Sequence, residues 1–190
     1  MMSIIEVKDL SIGFERPIQE ELNFSLNEGE ILFVKGRNGA GKSTLIKTLC
    51  HKLKALSGEI IWNVNENQVS LLPQSTSHEF PISITLEEIV NVFEPDEKTK
   101  SLLPSELYSR KFNNASGGER QKALILTRLK KDTKVLILDE PFNHLDELSI
   151  QEIMNFIEEL IQKKLIKGVI LISHIDQGFK KDNVKEVHLS

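Results

Sequence analysis

The period of apolar and polar positions changes along the chain, and each change marks an element. Residues 4–14 alternate loosely, as a half-exposed strand does, and residues 22–26 do the same. Asn27-Glu28-Gly29 supplies turn chemistry, after which residues 30–35 (EILFVK) read as a short buried strand. From 44 to 53 the spacing is helical, with Leu45, Ile46, Leu49 and Leu53 as the apolar set. Ser57-Gly58 breaks that run, and strands are predicted at 59–62 and 69–72.

Between 75 and 115 strand-like runs give way to helical spacing and loop residues. Thr85 and Glu88 form a candidate capping box, and Leu86, Ile89, Val90 and Phe93 follow on one helical face. Pro95-Asp96 ends that helix. A second short helix is expected within 101–110, its limits blurred by Pro104. This segment is expected to be a small helical insert, not an independent domain. Ser116 opens another apolar-periodic run through Leu124, Ile125 and Leu129. Residues 135–138 (VLIL) are continuously apolar, as in a strand covered on both faces. Ser149 and Glu152 offer a capping box for a helix burying Ile150, Ile153, Met154, Ile157, Leu160 and Ile161. A buried strand at 169–173 and an edge strand within 183–190 complete an α/β pattern, read as one domain over 1–190.

Composition adds limits. The 190 residues are 39% hydrophobic and 27% charged, ordinary for a globular protein with a real core. A net charge of −4 argues against a nucleic-acid-binding face. One cysteine, Cys50, leaves no internal disulfide, and its apolar helical neighbours favour packing over reactivity. With neither a membrane-length apolar run nor a signal-peptide pattern, a cytoplasmic protein is expected.

Chemistry concentrates at Gly36-Arg37-Asn38-Gly39-Ala40-Gly41-Lys42-Ser43-Thr44, which fits the phosphate-loop pattern G-x-x-x-x-G-K-S/T. The three glycines are expected to take backbone conformations that turn successive N–H groups toward a polyphosphate. Lys42 can reach the β- and γ-phosphates, and the Ser43 hydroxyl suits Mg²⁺. Strand, glycine loop and helix together place an anion at a helix N-terminus. The strand-rich stretch before the loop predicts an antiparallel sheet lying against this nucleotide core.

Further candidates sit at element ends. Asp139-Glu140 closes the apolar strand, where open α/β sheets bind ligands. Asp139 could hold Mg²⁺ through water, and Glu140 could orient or deprotonate an attacking water. Ser116-Gly117-Gly118-Glu119 reads either as a second anion-binding helix start or as a plain N-cap followed by flexible glycines. Phe14 is open between stacking on a purine and packing in the core. Gln74 means little alone, and a lone histidine such as His174 is more often structural than catalytic.

Taken as an ordered set, these features resemble the nucleotide-binding domain of ATP-binding cassette (ABC) ATPases over nearly the whole length. The phosphate loop looks like the Walker A motif and Gln74 like the Q-loop glutamine. Ser116–Gln121 resembles the family signature, and residues 135–140 resemble Walker B with its glutamate. Asn143-His144-Leu145-Asp146 is similar to the D-loop, His174 to the switch histidine and Phe14 to the adenine-stacking aromatic. Ala115 stands where leucine is usual and Glu119 where glutamine is common. The D-loop has the form familiar in the soluble translation-factor branch.

The resemblance implies a P-loop NTPase core with an antiparallel β subdomain and a helical subdomain at about 75–115. It implies two copies, identical or not, packed head to tail around two ATP molecules. Ser116, Gly117, Gly118, Glu119 and Asp146 would act in trans. Ser43, Gln74 and Asp139 would manage Mg²⁺, and Glu140, His174 and Lys42 would be catalytic. The expected role is the ATPase subunit of an ABC transporter, peripheral on the cytoplasmic face through a separate transmembrane permease. A soluble ABC ATPase acting on ribosomes or nucleic acid is the alternative.

Overall fold

The computed structural model describes residues 2–74, 83–93, 95, 97–174 and 183–190. Three strands, β1 (Ser3–Gly13), β2 (Pro17–Asn27) and β4 (Ser57–Trp62), form an antiparallel sheet in the order β2-β1-β4. The second sheet is parallel and contains β3 (Ile31–Gly36), β5 (Val69–Leu72), β6 (Val135–Asp139), β7 (Gly168–Ser173) and β8 (Val184–Leu189). Its order, β5-β6-β7-β3-β8, puts β7 between the strand that ends in Asp139 and the strand that leads into the glycine loop. Because the strands are parallel, all their C-terminal ends share one edge. Register aligns Asp139 with Ile172, and Lys35 with Ser173.

The continuous apolar strands are covered on both faces, as their lack of alternation requires. Leu136, Leu138 and Leu171 face one buried cluster, which also holds residues of α4 (Gly117–Leu126) and α5 (Glu147–Gln162). Val135, Ile137 and Ile172 face the other, with α1 (Lys42–Leu49) and β1. Leu86, Ile89 and Val90 of α2 (Leu86–Asn91), together with Leu103 and Phe112, belong to the first cluster. The described part of the helical segment therefore shares the core of the parallel sheet.

Local chemistry sets the helix limits. α2 carries the expected box, with Thr85 Oγ1 accepting from the Glu88 amide at 3.1 Å and Glu88 Oε2 accepting from the Thr85 amide at 2.7 Å. Phe93 departs from the expected buried face, being 37% exposed with the Arg128 guanidinium 5.4 Å from its ring centre. Asp96, half of the expected stop signal, lies outside the described residues. The helix expected within 101–110 reduces to one 3₁₀ turn, Ser105–Leu107, after α3 (Glu97–Lys100). α1 stops at Leu49, short of the expected Leu53. His51 turns left-handed, and the Lys52 and Leu53 amides both fold back onto the Lys47 carbonyl.

The expected Ser149–Glu152 box is not the cap of α5. Asp146 caps it, its Oδ1 accepting from the Ser149 amide at 2.7 Å, so the helix starts at Glu147. Glu152 pairs instead with Lys122 at 2.9 Å.

Candidate functional site

β3 delivers the chain to Gly36, and α1 takes it up again at Lys42. Between them Gly39 and Gly41 adopt φ of 90° and 89°, where a side chain would be strained. Gly41 is the N-cap of α1 and no side chain caps that end, so its first amides remain for an anion. Gly36 also stands where a side chain would be blocked, for a different reason from the other two. Its backbone φ is not in the left-handed region; its need is room, since a Cβ would lie 3.1 Å from that of Leu189 and 3.2 Å from that of Ala40.

The buried Lys42 side chain turns back over the loop. Its ammonium donates to the carbonyls of Gly36 at 2.8 Å and Arg37 at 3.2 Å, and sits 3.1 Å from Glu140 Oε1. Glu140 is equally buried and holds φ at 49° immediately after β6. Its amide donates to the Ile172 carbonyl at 2.8 Å, which fixes the turn against β7. Its Oε2 lies 2.8 Å from His174 Nδ1, and accepts from the His174 amide at 3.3 Å and from Ser173 Oγ at 3.2 Å. β7 thus seats Ser173 and His174 on the carboxylate that β6 provides.

Asp139 is half-buried beside this cluster. Burial raises its carboxyl pKa above the usual value and the neighbouring Glu140 charge adds to that; the Gln74 backbone N–H and Lys42 oppose it.

A cleft of about 320 Å³ opens over these groups. Asn38, Gly39, Gly41, Lys42, Ser43, Thr44, Gln74, Asp139, Glu140 and His174 all line it. Sequence reasoning missed two neighbours, Ile18 and Ser173, and named Asn143 only as the first residue of the D-loop. Ile18 and Asn143 line the same cleft, and Ser173 holds the carboxylate from behind. Ser173 adjoins His174, so adjacency was the available signal. Ile18 arrives from the antiparallel sheet and has none.

Other expected residues lie elsewhere. Phe14 follows β1, 63% exposed, and does not line the cleft. Neither do Ser116, Gly117, Gly118, Glu119 and Asp146, which gather where α4 and α5 begin. Ser116 and Glu119 form a reciprocal capping box, with bonds of 3.2 and 2.9 Å. Arg110 grips both Glu119 carboxylate oxygens, at 2.6 and 2.7 Å. Burial would raise the Glu119 pKa, but the Ser116 amide and Arg110 outweigh it and lower it. The paired glycines have a steric reason of their own. A Cβ on Gly117 would meet Leu145 Cδ2 at 2.7 Å, and one on Gly118 would meet Ser149 Oγ at 3.3 Å.

Fold and site together define a phosphate-loop nucleotide-binding domain, with its lysine, paired acids and histidine on one sheet edge. Residues 19–143 match the family described as ABC transporter, and the chain belongs to that family. It is 36% identical over 172 residues to the ATP-binding protein YbiT of Escherichia coli O157:H7, a match covering 85% of this chain and 32% of YbiT. The chain therefore spans about a third of that relative's length. The zinc import ATP-binding protein ZnuC of Haemophilus influenzae is 29% identical over 178 residues, covering 90% of this chain and 66% of ZnuC. Among solved structures, an ABC transporter ATP-binding protein from Pyrococcus furiosus superposes with a TM-score of 0.76 at 25% identity, covering 97% of this chain and 96% of its own. The chain is accordingly an ABC-type ATPase domain. Among the described residues, no helix is long and apolar enough to cross a membrane.

Proposed function

We propose that this domain hydrolyses ATP for an ABC transporter, dimerising on the nucleotide and acting on a separate membrane permease at the cytoplasmic face. The observation that carries the chemistry is the convergence of Lys42, Glu140 and His174, with Glu140 Oε1 3.1 Å from the lysine and Oε2 2.8 Å from the histidine ring. The transport role draws on relatives named for zinc and petrobactin import.

In this reading Lys42 and the amides that open α1 stabilise charge on the β- and γ-phosphates. The hydroxyl of Ser43, the amide of Gln74 and the carboxylate of Asp139 share the cleft and are the hard oxygen donors that Mg²⁺ prefers. Among the described residues, no three His, Cys, Asp or Glu side chains are grouped to hold a metal. Ser43, Gln74 and Asp139 would hold the Mg²⁺ ion. Such an ion, when bound, neutralises charge on the phosphates. Glu140 exchanges its contact with Lys42 for one with water and accepts a proton at the carboxylate, while His174 holds that carboxylate in place.

Phe14, exposed just past β1, is available to stack on adenine. Ser116, Gly117, Gly118 and Asp146 complete the partner copy's site. Glu119 supports them as a cap on Ser116, because its carboxylate is already engaged by Arg110 and the Ser116 amide. Asn143-His144-Leu145-Asp146 favours the second reading, a soluble ABC ATPase acting on ribosomes or nucleic acid.

Glu140→Gln tests the mechanism: it should bind ATP, turn it over at least about 100-fold more slowly, and elute as a dimer in saturating ATP. A variant that stays monomeric there would refute the shared site. Co-purification separates the two settings, an integral membrane protein supporting transport and ribosomes or nucleic acid the alternative.

A further inference from the structure

β2 buries three side chains, and two of them, Leu22 and Leu26, are apolar. The third is Gln19, 6% exposed. A buried amide is costly unless its hydrogen bonds are made. Here they are made, one to the phosphate loop and two with Ser190. Gln19 Nε2 donates to the Ala40 carbonyl at 3.2 Å and to the main-chain oxygen of Ser190 at 2.7 Å. Its Oε1 accepts from Ser190 Oγ at 3.2 Å.

Ala40 sits between the two left-handed glycines, Gly39 and Gly41, so its carbonyl is the handle on the tightest part of the loop. The neighbouring Ile18 reinforces the approach, its Cγ2 lying 3.1 Å from where a Gly41 Cβ would be. From the other side Leu189, beside Ser190, crowds the start of the loop at Gly36. One amide therefore ties the antiparallel sheet, the loop and the residue after β8 together.

We propose that Gln19 is a positioning residue for nucleotide binding: by holding the Ala40 carbonyl it keeps the Gly39–Gly41 turn in the geometry that aims the loop amides at phosphate. The proposal rests on the reading of residues 36–44 as the nucleotide site. Gln19 touches none of the reacting atoms, so its loss acts on affinity and leaves the chemical step alone.

The test uses Gln19→Leu, which keeps bulk and removes the donor, and Gln19→Glu, which keeps shape and an acceptor but presents oxygen to the Ala40 carbonyl and the Ser190 main-chain oxygen. Leaving a buried carbonyl unpaired is expected to raise KM for ATP, and Kd for a fluorescent ATP analogue, roughly tenfold in both variants. kcat should stay within about twofold, since saturating ATP re-forms the loop around the phosphates and Gln19 touches none of the reacting atoms. Thermal unfolding is measured alongside, with Leu126→Val as a destabilised control outside the site.

A purely packing role predicts a shift in unfolding temperature, as in the control, with KM unchanged. That result in either soluble Gln19 variant overturns the proposal, as does a loss confined to kcat. Wild type and Lys42→Ala separate this from the larger reading. If wild type binds the analogue and Lys42→Ala does not, while Gln19→Leu binds as wild type, the site stands and the role of Gln19 falls.

Discussion

Lys42 and Glu140 form an ion pair whose side chains are only 8% and 6% exposed, so removing one member strands the other. Breaking a buried pair from one side costs about 3–5 kcal/mol, chiefly because the remaining charge is desolvated and uncompensated. In Lys42→Met the stem volume is kept, and Glu140 still has the Ser173 hydroxyl, the His174 amide and the His174 ring. The loss therefore belongs at the lower end, about 3 kcal/mol. For a domain of this size each kcal/mol moves the melting midpoint by about 2–4 °C, which makes the expected drop about 6–12 °C. Adding Glu140→Gln replaces the stranded charge by a neutral amide of the same shape. The double variant should recover about 2 kcal/mol of the loss, and that recovery added to the cost of Glu140→Gln alone is the coupling energy of the pair.

Urea unfolding at pH 7, followed by circular dichroism on all four proteins without nucleotide, reads the cycle directly, since bound ligand would add its own stabilisation. The reasoning fails if Lys42→Met lies within about 1 kcal/mol of wild type, or if the two changes are additive. The outcome matters for function. Loss of turnover on substituting Lys42 reports phosphate binding only at temperatures where the variant is still folded.

Two further expectations concern carboxylates. Asp139 has a folded pKa raised by burial, so its charged form opposes folding; wild type should lose stability as pH rises from the unfolded value through the raised one. Asp139→Asn should abolish turnover and flatten that slope in denaturation measured across pH, and an unchanged slope would contradict the burial account. Asp146 has its pKa lowered by the Ser149 backbone bond, so its contribution is present above the unfolded value and fades as pH falls through the folded one. Asp146→Ala should lower the melting temperature and remove that acid-side fading, whereas Asp146→Asn should keep the cap; equal losses in both would show that capping is not its structural role.

Much of this was readable because the determinants are contiguous. A loop of fixed glycine spacing between a buried strand and a helix needs only neighbouring residues to be recognised. So do the Thr85–Glu88 box and the apolar strand before Asp139. Misreadings arose where a local pattern had a competitor a few residues away. Ser149 and Glu152 make a plausible box, but Asp146 caps first. The helix expected to run to Leu53 is cut by a left-handed His51, which apolar spacing does not announce.

The sequence by itself determined the α/β elements, the phosphate loop and the carboxylates at a strand end, since hydrophobic period and turn chemistry act over a few residues. Tertiary structure alone decided what those carboxylates touch. Strand order seats β7 between β6 and β3, which brings Ser173 and His174 onto Glu140 and Lys42 across from them. It also carries Gln19 in from a separate sheet to the Ala40 carbonyl. Such partners lie more than twenty residues apart and share no periodicity, because it is strand order in the parallel sheet, and the one core it shares with the antiparallel sheet, that brings them together.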